Sequence, residues 1–159
     1  MKKLLTPLTL TPVAAAVPSL GLLVGRVSLG AYMIAHGLTK WGGSGPTEQF
    51  VGYTASLGFP APTLFAWNAI LAEVGLSLLL VLGLFTRPAL LGLILTMGVA
   101  AFVAHGPDPW MAAPREASKE MAMLYMFGYL MLLGTGPGRF SVDRLLSRRA
   151  RRTVVAEAA

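Results

Sequence analysis

The chain has 159 residues, of which 55% are hydrophobic and 13% are charged, and its net charge is +6. Soluble domains carry about 25% charged residues, so this surface is too apolar for water and predicts a protein of the lipid bilayer. The sequence has no cysteine, which excludes disulfide relays, cysteine-bound zinc and iron–sulfur clusters within this chain. The basic residues cluster at the chain ends, a pattern that favours anionic lipid headgroups over nucleic acid.

Four apolar segments predict membrane-spanning helices, each of which needs about 20 residues. These segments run from Pro18 to Gly37, from Leu64 to Leu84, from Pro88 to His105, and from Met121 to Gly134. The turn between the second and third segments is too short to leave the membrane surface, so these two helices should form a tight hairpin. We therefore predict an all-α membrane protein with a four-helix transmembrane bundle.

The distribution of lysine and arginine predicts the orientation of this bundle. With the N-terminus inside, nine of these residues are cytoplasmic and only three lie outside, which are Lys40, Arg115 and Lys119. Both termini are therefore predicted to be cytoplasmic. Residues 1–16 resemble a signal peptide, but cleavage there would invert the charge bias. We interpret residues 1–17 as an uncleaved lead-in, residues 18–146 as the transmembrane domain, and residues 147–159 as a basic tail.

The connections between the spans carry further signals. Apolar residues from Phe50 to Phe59 have roughly helical spacing and predict a short interfacial helix that starts at Thr47. The connection from Gly106 to Ala117 is rich in proline and should be irregular. Beyond the last span, Ser141 is a candidate cap for a short helix with Asp143 in its first turn. After Arg144 the tail is predicted to be solvated, with no defined fold.

Two ionisable residues lie at membrane depth, where each costs about 2.5 to 3.5 kcal/mol and normally finds a partner. Arg26 lies in the first span and Glu73 in the second, at depths that differ by only about 4–5 Å if both helices start at their apolar boundaries. One hypothesis is a structural Arg26–Glu73 pair that fixes the helix register. The other makes Glu73 a proton-handling or ligand-binding group that Arg26 keeps ionised.

Polar residues at the outer ends of the helices predict a site above Glu73. His36 and His105 are the only histidines, and each ends a helix at this face. Lys40 follows His36 by one helical turn, and Glu120 opens the fourth helix at the same level. Simple polarity of helix ends is the alternative explanation. A functional reading makes Glu73, His36 and His105 the candidate catalytic residues.

The chemistry of such a pocket suits a quinone headgroup or another small outer-face substrate. Arg26, Lys40, Glu120 and Trp67 are the candidate residues for binding it. The three tryptophans lie at the outer helix ends, as in an aromatic belt, although Trp67 could also form a stacking wall for an aromatic ligand. Two histidines leave a b-type haem or a metal open as alternatives, but neither has a spacing signature, and no metal ligand is assigned.

A series of short motifs lies between residues 20 and 146. They are Arg26, Gly30, His36-Gly37 and Lys40, then Gly58-Phe59-Pro60-Ala61-Pro62, Glu73, Gly83-Leu84, Thr86-Arg87, Glu120, and Gly136-Pro137-Gly138-Arg139-Phe140-Ser141-Val142-Asp143. In this order and spacing they resemble the DoxX family of small four-helix bacterial membrane proteins. The resemblance implies a multi-pass protein of the bacterial inner membrane.

The resemblance also implies a link to membrane redox chemistry. One branch of the family resembles a subunit of thiosulfate:quinone oxidoreductase, and others are linked to oxidative-stress complexes with soluble partners. We therefore predict a subunit of a quinone-linked redox complex with a soluble oxidoreductase partner, and leave homo-oligomerisation open. In this hypothesis Glu73 and the histidines manage protons, while Arg26 and Lys40 hold an anionic group. The alternatives are a non-enzymatic anchor or assembly factor that docks an outer-face partner, and a small-molecule transporter.

Overall fold

In the computed structural model, the chain is described for residues 12–113 and 116–157, with side chains for residues 17–113 and 116–150. Within these ranges the helices are α1 (Pro12–Leu38), α2 (Glu48–Ser56), α3 (Pro62–Leu82), α4 (Thr86–Ala104), α5 (Glu120–Thr135) and α6 (Val142–Glu157). The residues Val17–Leu38 of α1, and the whole of α3 and α4, are long and apolar enough to cross a membrane, whereas α5 is a shorter apolar helix. The all-helical membrane fold is confirmed. A fourth crossing by α5 stays a prediction.

The first helix is longer than expected. It begins at Pro12 and contains Pro18, the residue that was expected to start the first span. Most of the predicted lead-in, including residues 1–11 of the signal-like segment, lies outside the described residues. The short helix that follows matches its prediction, because Thr47 caps α2 by accepting a hydrogen bond from the Phe50 amide at 3.3 Å.

A tight turn joins α3 to α4, as predicted. Gly83 and Phe85 both have left-handed backbone conformations, with φ of +67° and +46°. The Leu84 amide reaches back to the Leu79 carbonyl at 3.0 Å, which closes the end of α3 in the manner of a glycine C-cap. Pro88 lies in the first turn of α4, where its missing N–H costs no helical hydrogen bond.

The core of the bundle is built by α1, α3, α4 and α5. Its buried residues are Met33, Leu80, Leu90, Leu93, Met97, Tyr129 and Leu132. Two glycines of α1 bring its backbone against α3. A Cβ atom on Gly30 would lie 2.6 Å from Val81 Cγ2, and one on Gly37 would lie 2.9 Å from Glu73 Cβ. These close approaches set the register, with Gly30 beside Val81 and Gly37 beside Glu73.

This register shows that the predicted Arg26–Glu73 pair is wrong. Glu73 lies beside Gly37, and the helix rise from residue 26 to residue 37 is about 16 Å. Arg26 instead lies beside Gly83, so close that a Cβ atom there would be 2.0 Å from Arg26 Nη1. The expected depths were counted from the apolar boundaries of the spans, but the glycine contacts slide α3 along α1 relative to that count.

Arg26 finds its partners at the far end of the chain. Its guanidinium group is buried and donates hydrogen bonds to the carbonyl oxygens of Pro137, at 2.8 Å, and of Phe140, at 2.7 Å. The Gly-Pro-Gly segment after α5 therefore folds back under α1. A buried charge is tolerated at this depth because the chain supplies carbonyl oxygens to it.

Asp143 completes this end of the bundle. Its carboxylate accepts hydrogen bonds from the Phe85 amide at 2.9 Å, and from the Thr86 amide and hydroxyl at 3.0 and 2.8 Å. Its own amide donates to the Gly83 carbonyl at 2.9 Å. The start of α6 is thereby tied to the α3–α4 turn. We call the contacts of Arg26 and Asp143 with Gly83, Phe85, Thr86, Pro137 and Phe140 the latch.

The latch also determines the charge of Asp143. Burial alone would raise the pKa of the Asp143 carboxyl, but the hydrogen bonds from Thr86 and Phe85 and the positive charge of Arg26 outweigh this effect. The pKa of Asp143 is therefore lowered from its ordinary value, and the group is an anion at neutral pH.

The last helix overturns one expectation and confirms another. The Ser141 hydroxyl accepts a hydrogen bond from the Arg144 amide at 3.2 Å, which confirms its predicted role as a cap. However, α6 runs from Val142 to Glu157, so the prediction of no defined fold after Arg144 is wrong. Arginine, leucine and alanine favour helix, and an acidic residue in the first turn favours it further.

Candidate functional site

A cavity of about 760 Å³ lies at the end of the bundle where α1 stops and α4 stops. Its wall is mostly apolar and includes Met33, Phe50, Leu57, Phe59, Phe65, Leu95, Met97, Val99 and Met121. Side chains from all of α1 to α5 contribute to it. This size and this apolar character are typical of sites for small organic ligands, which need only a few well-placed polar groups.

A lysine–glutamate pair forms the deepest polar part of the cavity. Lys40 Nζ donates to both oxygens of Glu73, at 2.5 and 2.7 Å. The Glu73 side chain is 4% exposed and that of Lys40 is 18% exposed. Lys40 Nζ also lies 4.9 Å from the centre of the Phe50 ring, in a cation–π contact from α2. The pair holds opposite charges within an otherwise apolar wall, where unpaired charges are costly.

Irregular helix geometry positions both polar walls of the cavity. Residues Leu71–Leu76 of α3, which include Glu73, form a π-helical segment, and so do residues Ala100–Ala104 at the end of α4. The second segment ends directly before His105. Such π-segments are rare and are frequent at functional sites, because they redirect side chains within a helix. Here they accompany the two walls that carry the candidate proton-handling residues.

His105 faces the cavity from the end of α4 and is oriented by an aspartate. Its Nδ1 atom lies 2.8 Å from Asp108 Oδ2, within a turn in which the Asp108 amide bonds the His105 carbonyl at 3.0 Å. Lys119 supports the same turn by donating to the Gly106 carbonyl at 2.8 Å. With Nδ1 engaged, the Nε2 atom of His105 is the ring nitrogen left for a ligand.

The short helix α2 lies over the cavity and is fastened to α4. The Tyr53 hydroxyl donates to the Ala104 carbonyl at 3.0 Å. Burial, reinforced by the negative charge of Asp108, raises the pKa of the Tyr53 hydroxyl, so it stays a hydrogen-bond donor at neutral pH. Thr54 anchors the other side of α2 by donating to the Pro62 carbonyl at 3.1 Å. Both bonds make α2 a cover for the site.

The structure brings together four of the seven residues that the sequence singled out. Glu73, His36, His105 and Lys40 all line the cavity. Their proposed roles remain predictions, because proximity to a cavity assigns no chemistry. Among the described residues, no group of three or more His, Cys, Asp or Glu side chains is arranged to hold a metal ion.

The other three predicted residues lie elsewhere. Arg26 belongs to the latch at the opposite end of the bundle. Glu120 is exposed at the start of α5 and does not line the cavity. Trp67 packs edge-to-face against Trp41, with ring centres 5.3 Å apart, and also stays outside the cavity lining. Glu120 and Trp67 thus lie outside the cavity lining although they were placed at its level, and Arg26 is excluded by its position along α1.

Comparison with known proteins decides the family. The sequence profile of DoxX matches residues 21–106. The chain belongs to the DoxX family. Among its relatives, the inner membrane protein YphA of Escherichia coli is 38% identical over 126 residues, covering 77% of this chain and 88% of YphA. The inner membrane protein YqjF of the same organism is 30% identical, covering 81% of this chain and 94% of YqjF.

A third relative comes from a distant bacterium. The uncharacterized membrane protein Rv3486 of Mycobacterium tuberculosis is 30% identical, covering 79% of this chain and 80% of that protein. No solved structure matches the chain. Together with the apolar helices, these relatives make this DoxX protein a multi-pass protein of the bacterial inner membrane.

The DoxX match covers most but not all of the cavity. Residues 21–106 include α1 to α4, and with them the Lys40–Glu73 pair, His36 and His105. The wall contributed by α5, including Tyr125, and the loop residue Glu116 lie beyond it. Tyr53, Asn68, Thr96 and Tyr125 line the cavity but were not singled out from sequence. Only Tyr53 had a signal, as an apolar-spaced residue of the interfacial helix, whereas single polar residues in α3 to α5 have none.

Proposed function

We propose that this DoxX protein is the quinone-binding membrane subunit of a redox complex. The observation that carries the proposal is the buried Lys40–Glu73 pair in the wall of a largely apolar cavity of about 760 Å³. Ionisable groups within membrane spans are expensive and usually functional. In the proposed orientation, with both termini in the cytoplasm and the latch at the cytoplasmic end of the bundle, the cavity opens toward the outer face.

A quinone headgroup matches the chemistry of this cavity. Its flat ring is apolar on both faces, and its two carbonyl oxygens accept hydrogen bonds. Lys40 Nζ is suited to donate to one oxygen. His105 Nε2 comes from a different wall and is suited to donate to the other oxygen when the imidazole ring is protonated, because its Nδ1 already donates to Asp108. Glu73 would hold the Lys40 ammonium group in place through its two hydrogen bonds and would exchange a proton with the ligand. His36 lines the same cavity as a further proton carrier.

The proposal requires a partner that supplies electrons. Reduction of a quinone to a quinol takes two electrons and two protons. The protons can pass through Glu73 and the histidines, whereas the chain has no cysteine to form a redox disulfide or hold an iron–sulfur cluster. The electrons would come from a reduced oxidoreductase docked at the outer face, next to α2 and the cavity opening.

Quinone binding tests the first part of the proposal. The protein in lipid nanodiscs would be titrated with a short-chain ubiquinone or menaquinone analogue, and binding would be followed by quenching of tryptophan fluorescence. Loss of a hydrogen bond to a charged group costs about 1.5–3 kcal/mol, so Lys40→Met and the double variant Lys40→Met/Glu73→Gln should bind roughly 10- to 100-fold more weakly. Glu120→Gln, at the same end but outside the cavity lining, is the matched control and should bind normally. Unchanged affinity in both cavity variants would refute the site.

Isolation from the native membrane tests the second part. Tagged protein extracted in mild detergent should bring down an oxidoreductase in a fixed ratio, as identified by mass spectrometry. A chain that emerges alone, and that supports no quinone reduction when native membrane extract is added back, would contradict the redox-subunit role while leaving quinone binding intact.

A non-enzymatic anchor is the rival function. It is favoured by the two-point bonding of Lys40 to Glu73, which satisfies both groups without a ligand. In that case Glu73→Gln should lower the thermal stability of the protein and leave quinone affinity unchanged. The titration described above therefore distinguishes the two functions.

A further inference from the structure

The structure describes five exposed arginines at the latch end of the bundle, and one of them, Arg149 on α6, takes part in an interaction. The other four are Arg87 at the start of α4, Arg139 before α6, and Arg144 and Arg148 on α6. Among the side chains that the structure describes, the guanidinium groups of these four make no hydrogen bond or ion pair. Unpaired arginines clustered at one end of a membrane protein are suited to an external anion.

Two of these arginines line the same recess. The recess has a volume of about 410 Å³ and lies between the start of α4 and the first turns of α6. Arg87 contributes to its lining from α4, and Arg144 and Ser147 contribute from α6. Thr86 and Pro137 also contribute to its lining. Guanidinium groups present paired N–H donors that match the oxygens of a phosphate group.

Asp143 also lines the recess, but it does not cancel this positive charge. Its carboxylate already accepts three hydrogen bonds, from Phe85 and Thr86, and it interacts electrostatically with the buried charge of Arg26. The Asp143–Arg26 couple is thus close to neutral as a unit. The charge that remains at the recess is that of Arg87 and Arg144.

Exposed apolar side chains accompany the residues that line the recess. Phe85, which lines it, is 64% exposed, and Phe140, Leu145 and Leu146, which lie close in sequence to Arg144, are 52%, 57% and 51% exposed. All four lie beyond the ends of the apolar helices, in the α3–α4 turn or after α5. A ligand held here therefore has both an anionic group and acyl chains within reach.

We propose that this recess binds the phosphate of an acidic phospholipid, with Arg87 and Arg144 as its two ligands. The exposed phenylalanine and leucine side chains pack on the glycerol and upper acyl region of the same lipid. The site is separate from the cavity and does not depend on quinone binding. It makes α6 a helix held at the headgroup level by the latch on one side and by lipid on the other.

Native mass spectrometry tests this site on the detergent-released full-length protein, with phosphatidylglycerol and phosphatidylcholine added in turn. Phosphatidylglycerol should bind more tightly than phosphatidylcholine. Each arginine near an anionic headgroup contributes about five-fold in affinity, so Arg87→Gln/Arg144→Gln should bind phosphatidylglycerol roughly 25-fold more weakly. Arg139→Gln/Arg148→Gln carries the same loss of charge outside the recess lining and should keep most of the affinity.

Several results would overturn the proposal. Equal affinity of the wild-type protein for the two lipids would remove the role of charge. An equal loss in both double variants would show diffuse attraction by the whole basic end rather than a recess. The double variant Arg87→Lys/Arg144→Lys is a control for misfolding, because it keeps both charges and loses only the paired N–H donors of arginine. It should bind phosphatidylglycerol with an affinity between those of the wild-type protein and the glutamine variant. Quinone affinity measured on the same preparations should not change.

Discussion

The substitution Gly83→Ala should open the latch. Gly83 has φ of +67°, and a Cβ atom there would lie 2.0 Å from Arg26 Nη1 and 2.7 Å from Ser141 Cβ. The left-handed conformation costs about 1–2 kcal/mol for an alanine. Displacement of Arg26 would also break its two bonds to Pro137 and Phe140, each worth about 1.5–3 kcal/mol. The free energy of unfolding should therefore fall by roughly 4 to 8 kcal/mol if both bonds are lost.

A second glycine separates the two contributions. Gly58 has φ of +82° and no atom within 4 Å of its Cβ position, so Gly58→Ala carries the backbone strain alone. Unfolding of both variants would be followed by circular dichroism during titration of detergent micelles with dodecyl sulfate. Gly83→Ala should be the less stable by about the energy of the Arg26 bonds, on the order of 3 to 6 kcal/mol. Equal destabilisation of the two variants would refute the reasoning that Gly83 makes room for Arg26.

Three further expectations concern acid stability, histidine orientation and the α2 cover. The pKa of Asp143 is lower in the folded protein than in the unfolded chain, where it is about 3.9. The stability that Asp143 contributes is therefore present above this unfolded pKa and is lost as the pH falls through the folded pKa. In thermal unfolding scans at a series of pH values, Asp143→Asn should reduce this loss of stability in acid. Asp108→Ala removes the partner of His105 Nδ1 and should weaken quinone binding in the nanodisc titration, whereas unchanged affinity would exclude the orienting role. Tyr53→Phe removes the hydrogen bond to the Ala104 carbonyl, which is worth about 0.5–1.5 kcal/mol. Amide hydrogen exchange in α2, measured by mass spectrometry, should become faster while the bundle stays folded. Unchanged exchange would contradict the role of this bond in fastening α2 over the cavity.

The level of the residues at the helix ends was predictable from the sequence, unlike that of Arg26 and Glu73 within the spans. The apolar runs locate the helix ends, and a histidine or lysine at a helix end reaches the same level as its counterpart on the next hairpin. That is why His36, Lys40 and His105 meet at one cavity. The short capped helix α2 was also predictable, since a threonine before an acidic residue and a spaced apolar run is a local signal.

Relative sliding and rotation of the helices were not predictable. The register of α1 against α3 depends on where Gly30 and Gly37 let the two backbones touch, and hydropathy contains no information about that contact. Arg26 was therefore given the wrong partner. The rotation of each helix about its own axis was not predictable either, because the sequence of a helix that is apolar on all sides does not indicate which side faces the bundle interior. Trp67 and Glu120 were assigned to the site by their level, but they do not line the cavity.

The latch joins residues that are far apart in the chain and are therefore synthesised at different times. Arg26 enters the membrane with α1, while the carbonyls of Pro137 and Phe140 lie 111 and 114 residues later in the chain. At about 5–20 residues per second, they emerge on the order of ten seconds afterwards. During that interval the first helix carries a charge without its final partners, and only completion of the C-terminal segment removes this defect. A chain truncated before Pro137 would keep Arg26 in its first helix without either of these two carbonyl partners.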